Sequence, residues 1–162
     1  MKALKIFLLL IFVYLLQILI VSRFAFFGVR ADLILIVTTL FAVTYGPEDG
    51  SAIGLFFGIM QDLLGGVMYV NTFSKAILGF LVGTFKESVL GTEESVAVSA
   101  VCVATVTNFL LELVILYFFF GKPLASPFTL FFVLLISCIF NSVLAPICFP
   151  MVRAASKFVM EQ

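Results

Sequence analysis

Apolar residues fill most of the chain in long runs, and short polar stretches separate these runs from one another. A transmembrane helix needs ~20 predominantly apolar residues to cross ~30 Å of hydrocarbon. The pattern predicts six helices, several of them short, at about residues 3–22, 32–45, 50–64, 72–85, 96–120 and 127–150. We therefore expect an all-α polytopic membrane protein, with a single integral membrane domain over residues 1–162.

The second, third and fourth segments are shorter than a full span, which leaves two alternatives open. They could cross the membrane with little tilt, with local thinning or with help from flanking residues. Alternatively, the second and third could form a re-entrant hairpin. Glu48 and Asp49 in the turn GPEDG argue against the hairpin, because charges at membrane depth cost much free energy. Both alternatives leave the later topology unchanged, since a hairpin returns to the side it left.

Composition supports a membrane protein. Hydrophobic residues make up 64% of the chain and charged residues 11%, with a mean hydropathy of +1.30. A soluble domain is about half apolar and about a quarter charged, so a soluble fold of this chain would expose large apolar patches. Nine basic residues balance nine acidic ones, and no basic patch indicates nucleic-acid binding.

The N-terminal segment predicts a retained anchor. Lys2 and Lys5 precede an uncharged run over 6–22, which exceeds a signal-peptide core and lacks a small-x-small cleavage site. Six spans place both termini on one side. That side holds Lys2, Lys5, Lys86, Arg153 and Lys157, and the other holds Arg23, Arg30, Lys75 and Lys122. Five against four favours cytoplasmic termini by the positive-inside rule.

The residue types argue against an enzyme. Histidine is absent, and no nucleophile stands beside a recognisable base. A metal site would depend on scattered carboxylates, so we expect neither a metal nor a cofactor. Cys102, Cys138 and Cys148 lie far apart in apolar runs, which favours small apolar side chains within helices.

Glycine recurs every fourth residue along the third predicted helix and twice in the fourth. This spacing places glycines on one helix face, where a neighbouring backbone can approach closely. Two interpretations stay open, namely internal packing of neighbouring helices and docking of a partner's transmembrane helix. The candidate residues are Gly50, Gly54, Gly58, Gly79 and Gly83.

Carboxylates within the helices form the second candidate site. Asp62 follows Gly58 by one turn on the glycine face, and Glu112 follows Asn108 by one turn of the fifth helix. Ionisable groups inside a membrane segment are functional hypotheses by default, although a satisfied structural carboxylate is the alternative. Six-span topology places Asp32, Asp62 and Glu112 near the outer face. We therefore expect an ion-paired cluster there with Arg23, Arg30, Lys75 and Lys122, which charge exchanges such as Asp62→Lys with Lys75→Asp would test.

Two further patterns concern the last two helices. Pro146 and Pro150 are expected to kink or end the last helix. Tyr117–Phe120 at the end of the fifth helix is typical of an anchor at the membrane interface.

The stretch ADLILIVTTLFAVTYGPEDGSAIGLFFGIMQDLLGG, followed by VNTFSKAILGFLVG, resembles the MreD family of bacterial rod-shape-determining membrane proteins. The matching features are Asp32-Leu33, Gly46-Pro47, Gly50, Gly54, Gly58, Asp62-Leu63, Gly65, Gly79-Phe80 and Gly83. They cover about residues 31–83. Ala31 stands where the family usually has proline, and Tyr69 where glycine is common, which affects the expected loop shapes.

This resemblance implies a non-enzymatic subunit of the cell-elongation complex in the bacterial inner membrane. Its implied partners are MreC, MreB filaments, and the SEDS glycosyltransferase and class B penicillin-binding protein that synthesise peptidoglycan. The family's fold resembles the six-helix S-component of energy-coupling-factor transporters. A small-solute-binding transporter subunit is therefore the alternative function. It predicts an outward-opening cavity near Asp62, Asn108 and Glu112, whereas a scaffold predicts filled helix contacts.

Overall fold

The computed structural model describes residues 2–19, 23, 25–65, 69–85 and 93–160. Its elements are α1 (Lys2–Leu19), β1 (Ala25–Phe26), β2 (Val29–Arg30), α2 (Leu33–Tyr45), α3 (Pro47–Gly65), α4 (Val70–Thr84), α5 (Glu93–Phe120) and α6 (Pro127–Met160). The prediction of an all-α fold is confirmed, with one two-stranded hairpin added. Within the described residues, and setting aside the end of α1, helix boundaries lie within three residues of the predicted ones, apart from the end of α6. The predicted end of the first helix at residue 22 lies outside the described residues.

In the described part of the chain, two helices are long and apolar enough to cross a membrane. They span Ser95–Phe120, with 26 residues and a mean hydropathy of 2.0, and Pro127–Ala154, with 28 residues and 2.4. Large side chains such as Phe118 and Phe128 are exposed on these helices, whereas Asn108 and Asn141 are buried. Apolar groups outside and polar groups inside are the arrangement expected in an apolar solvent.

Helix α2 lies at the centre of the bundle. Residues 33–42 are all buried, and α2 packs against each of the other five helices in the described part of the chain. A helix that is apolar all round is expected in such a position. At ~1.5 Å per residue, its 13 residues cover only about 20 Å, so its ends do not reach across a ~30 Å hydrocarbon layer.

A single glycine joins α2 to α3. Gly46 has a φ of 106°, and Pro47 already opens α3, as proline commonly does at a first helical position. Glu48 and Asp49 therefore lie in the first turn of α3, where the helix dipole favours negative charge. The turn expected over GPEDG is shorter than predicted, because Pro47 to Gly50 already belong to α3 and only Gly46 lies between the two helices.

The short loop before α2 folds as a β-hairpin. Phe27 and Gly28 both have positive φ, at 52° and 80°, which is the signature of a type I′ turn. The ring of Phe27 makes an edge contact with Phe132 of α6, with ring centroids 5.8 Å apart. The hairpin is thereby held against the last helix.

Helix α6 continues through both of its prolines to Met160, so of the two expected effects, a kink or an end, the prolines do not end the helix. Proline removes one backbone donor and crowds the carbonyl four residues earlier. Neighbouring helices and local adjustments can satisfy the freed backbone groups within a membrane bundle.

Two of the cysteines meet across the contact between the last two helices. The thiol of Cys138 on α6 lies close enough to Cys102 on α5 for the two side chains to interact. Their separation along the sequence gave no sign of this proximity.

A buried charge cluster at the starts of two short helices

The N-terminal ends of α2 and α4 lie side by side, and each is capped by an aspartate. Asp32 precedes α2, and its Oδ1 accepts a hydrogen bond of 2.9 Å from the backbone N–H of Leu35. The first N–H groups of a helix have no partners inside it, and a membrane interior offers no water to replace them. A carboxylate at the helix start accepts hydrogen bonds from such donors, and its negative charge is stabilised by the positive end of the helix dipole.

Asp62 performs the same role for α4 from the end of α3. Its Oδ1 accepts from the N–H of Asn71 at 3.1 Å and from Asn71 Nδ2 at 2.9 Å. Its Oδ2 accepts from the N–H of Thr72 at 2.8 Å and from Thr72 Oγ1 at 2.6 Å. With four donors around it and only 6% of its surface exposed, Asp62 is a satisfied structural carboxylate.

Lys75 is fully buried at the centre of the cluster. Its Nζ lies 3.1 Å from Asp32 Oδ2 and 3.7 Å from Glu112 Oε1. It also donates to Asn71 Oδ1 at 3.2 Å. One ammonium group thus joins α4 to the start of α2 and to α5.

Asp62 enters this cluster indirectly. The amide of Asn71 donates to Asp62 at one end and accepts from Lys75 at the other. The ion-pair partners of Lys75 are Asp32 and Glu112, so Asp62 and Lys75 are linked through Asn71 and form no direct pair. The reason is local: Asp62 is already engaged by the start of α4, and Lys75 lies one turn after Asn71 on that helix.

Asn108 and Glu112 lie on one face of α5, as their spacing predicts. Asn108 Nδ2 donates to Glu112 Oε1 at 2.8 Å. Asn108 is 5% exposed, and its Oδ1 is buried without a hydrogen-bond partner. The four candidate polar residues from the sequence are therefore joined through Lys75 and Asn71.

The other basic residues expected in the cluster lie elsewhere. Arg23, Arg30 and Lys122 are all exposed, whereas Lys75 is buried. Loop cations retain water or reach the lipid headgroups, so of the four basic residues expected in the cluster only Lys75, which lies within α4, is buried.

A second set of polar contacts fixes the start of α2. The N–H of Asp32 donates to Asn141 Oδ1 at 2.9 Å, and Asn141 Nδ2 donates to Thr105 Oγ1 at 3.1 Å. On the other side, Gln17 donates to the carbonyl of Ala31 and accepts from the N–H of Leu33. Helices α1, α5 and α6 therefore all hold the chain where α2 begins.

The glycines lie where α3 crosses α4. A Cβ added to Gly54 would overlap the carbonyl of Lys75, and one added to Gly58 would overlap the backbone of Asn71 and Thr72. Gly50 and Gly79 face each other in the same way, and Gly83 meets Gly46 and Pro47. The row is occupied by α4 of the same chain, so the glycines bring the two backbones together and set the position of Asp62 against the start of α4.

Several members of the site were missed from the sequence. Asn71 ends the loop before the fourth predicted helix and Thr72 begins that helix, and the sequence pattern assigns no role to these two residues or to Gln17 and Thr105. An available signal was Asn-Thr directly before an apolar run, because these residue types are favoured where helices begin. The contacts to Asp32 and Asp62 depend on tertiary packing and carry no local signal.

The arrangement is suited to fixing helix positions. In the described ranges, no three histidine, cysteine, aspartate or glutamate side chains lie close enough together to hold a metal ion.

Comparisons with protein-family models, curated proteins and solved structures found no match to this chain.

Proposed function

We propose that the chain is an MreD-like, non-enzymatic subunit of the bacterial cell-elongation complex. It binds an MreC-like bitopic protein and regulates peptidoglycan synthesis alongside MreB filaments, a SEDS glycosyltransferase and a class B penicillin-binding protein. Its place is the inner membrane, which it crosses six times with both termini in the cytoplasm. An S-component-like arrangement of the six helices is part of this proposal.

The observation that carries the proposal is the convergence of the residues on which the resemblance depends. Asp32 caps α2, the glycine row brings α3 onto α4, and Asp62 caps α4. These residues are scattered over about fifty positions, yet all of them serve one unit made of α2, α3 and α4. If these glycines and aspartates matched the family pattern by chance, we would not expect all of them to hold the same three helices together.

The distribution of basic residues supports the orientation. Lys75 is buried inside α4, so it does not belong to a loop and does not count in the positive-inside comparison. Removing it changes the comparison from five against four to five against three (4 − 1 = 3), in favour of cytoplasmic termini.

The contacts within the cluster favour a scaffold over the solute-binding alternative. Asp62 is engaged by four donors, and Asp32 is engaged by Leu35 and Lys75. A solute-binding site needs polar groups that point at the solute, whereas these carboxylates are committed to protein partners. The outward faces of α3 and α4, with the exposed rings of Phe73 and Phe80, remain available to a partner's helix.

Two experiments test the proposal. The tagged chain, co-expressed with the MreC-like protein of its own genome, should retain that protein through purification in detergent. It should also restore rod shape to cells depleted of their own MreD. Absence of the complex together with persistently round cells would contradict the proposal. Alanine at Phe73 and Phe80, compared with alanine at the exposed Phe128 and Phe131 of α6, tests whether the partner binds at α4.

A further inference from the structure

The buried cluster carries unequal numbers of positive and negative groups. Lys75 supplies one positive charge, and Asp32 and Glu112 supply two negative ones, which leaves one surplus negative charge (1 − 2 = −1). Asp62 makes no ion pair in the described part of the chain, and its oxygens are held by four neutral donors at the start of α4. The side chains of Asp32 and Glu112 are only 25% and 31% exposed, so a surplus negative charge there is incompletely hydrated and a compensating positive charge is expected.

The distances locate the surplus on Glu112. Lys75 Nζ lies within hydrogen-bond distance of Asp32 at 3.1 Å, but 3.7 Å from Glu112. Within the described part of the chain, the other donor to Glu112 is the neutral amide of Asn108. The ammonium therefore neutralises Asp32 more completely than Glu112.

Asn108 provides an independent sign of a ligand at the same place. Its Oδ1 is shielded from solvent and accepts no hydrogen bond, although the side chain is 95% buried (100 − 5). Because the two terminal atoms of an amide share one carbon, this oxygen lies beside the carboxylate that Asn108 Nδ2 contacts. A buried acceptor without a donor is rare in folded proteins and calls for a partner.

We propose that Glu112 and Asn108 form a binding site for one monovalent alkali cation, with Asp32 as a nearby balancing charge. Carboxylate and amide oxygens are hard ligands of the kind that alkali and alkaline-earth ions take. One positive charge matches the surplus, whereas a divalent ion would reverse it. The Glu112 side chain is 31% exposed and offers a route of entry.

Cation-dependent stability tests the site. The purified full chain in detergent is unfolded thermally in sodium, potassium or N-methyl-D-glucamine chloride at equal ionic strength and pH. The midpoint is expected to rise by about 3–5 °C for each tenfold increase in the bound alkali ion above its Kd, and not with N-methyl-D-glucamine. Glu112→Gln should remove this dependence, whereas Glu48→Gln, at an exposed carboxylate in the first turn of α3, should retain it.

Direct binding keeps the test independent of variant folding. Radioactive sodium should bind to the wild-type chain at one ion per protein and be displaced by unlabelled alkali chloride. Equal midpoints in all three salts, together with no saturable sodium binding, would overturn the proposal. In that case, protonation of a carboxylate would have to balance the charge. Cation dependence that persists in a folded Glu112→Gln variant would also overturn it.

Discussion

The ammonium of Lys75 lies 3.1 Å from Oδ2 of Asp32, while Oδ1 of the same aspartate caps helix α2. One carboxylate therefore both completes the start of α2 and pairs with the buried cation of α4. The need for both contacts follows from helix length. Helices of 13 and 15 residues are shorter than a ~30 Å hydrocarbon layer, so their first N–H groups must find partners in the protein.

Replacing Lys75 with methionine should strongly destabilise the fold. The change retains most of the apolar stem but leaves Asp32 and Glu112 without their shared cation. Removing one partner of a buried ion pair costs ~3–5 kcal/mol, and we expect about 2–3 kcal/mol here because both carboxylates are partly exposed. Denaturant or thermal unfolding in detergent measures the loss.

The matched control is Lys122→Met, at an exposed lysine between α5 and α6, which should be nearly neutral. A triple variant with Lys75→Met, Asp32→Asn and Glu112→Gln removes all three charges and should recover part of the lost stability. A triple variant less stable than Lys75→Met alone would contradict the assignment of charge imbalance as the cause.

Asp62→Ala should also destabilise the chain, by about 3 kcal/mol, since four donors at the start of α4 lose their acceptor. Asp62→Asn should lose less, because its amide oxygen can still accept some of these bonds. Asp49→Ala in the first turn of α3 is the control, since Asp49 is exposed. Equal stability of the alanine and asparagine variants would argue against the capping role.

Exchanging the charges of Asp62 and Lys75 should not restore stability. In the double variant Asp62→Lys with Lys75→Asp, a lysine faces the unpaired N–H groups of α4, and a third carboxylate faces Asp32 and Glu112. The double variant is therefore expected to be at least as unstable as the worse of the two single variants, by thermal unfolding. Rescue to the wild-type midpoint would show that a direct pair matters more than the cap.

The sequence predicts the helices well because their apolar runs are long and their breaks are polar. It also predicts that Asn108 and Glu112 share a face, because that depends on helix geometry alone. It does not predict that Lys75 is buried, since this follows from the packing of α4 between α2, α3 and α5. The prolines also show that sequence alone does not predict helix boundaries. Pro47 is the first residue of α3, whereas Pro150 lies inside α6 without ending it. The surrounding structure distinguishes a proline that begins a helix from one that lies within it.

Alanine at Gly54 should destabilise the isolated protein, by about 1–3 kcal/mol, because the added methyl group overlaps the backbone of α4 and forces the two helices apart. Gly65→Ala provides a control on the same helix, since a Cβ there would meet no atom within 4 Å. Unfolding of the purified protein, without any partner, measures both. If Gly54→Ala is as stable as wild type but no longer retains an MreC-like protein, the glycine row acts on the partner instead.

Mild oxidation should join Cys102 and Cys138 in an intramolecular disulfide, because their thiols already meet between α5 and α6. Copper phenanthroline in air supplies the oxidant and removes two electrons and two protons from the pair. Maleimide-polymer labelling of the denatured chain should then fall from three reactive thiols to one, that of Cys148. The Cys138→Ser variant should retain two reactive thiols before and after oxidation. Three reactive thiols in the oxidised wild type would contradict the contact, and with it the register in which α6 packs against α5.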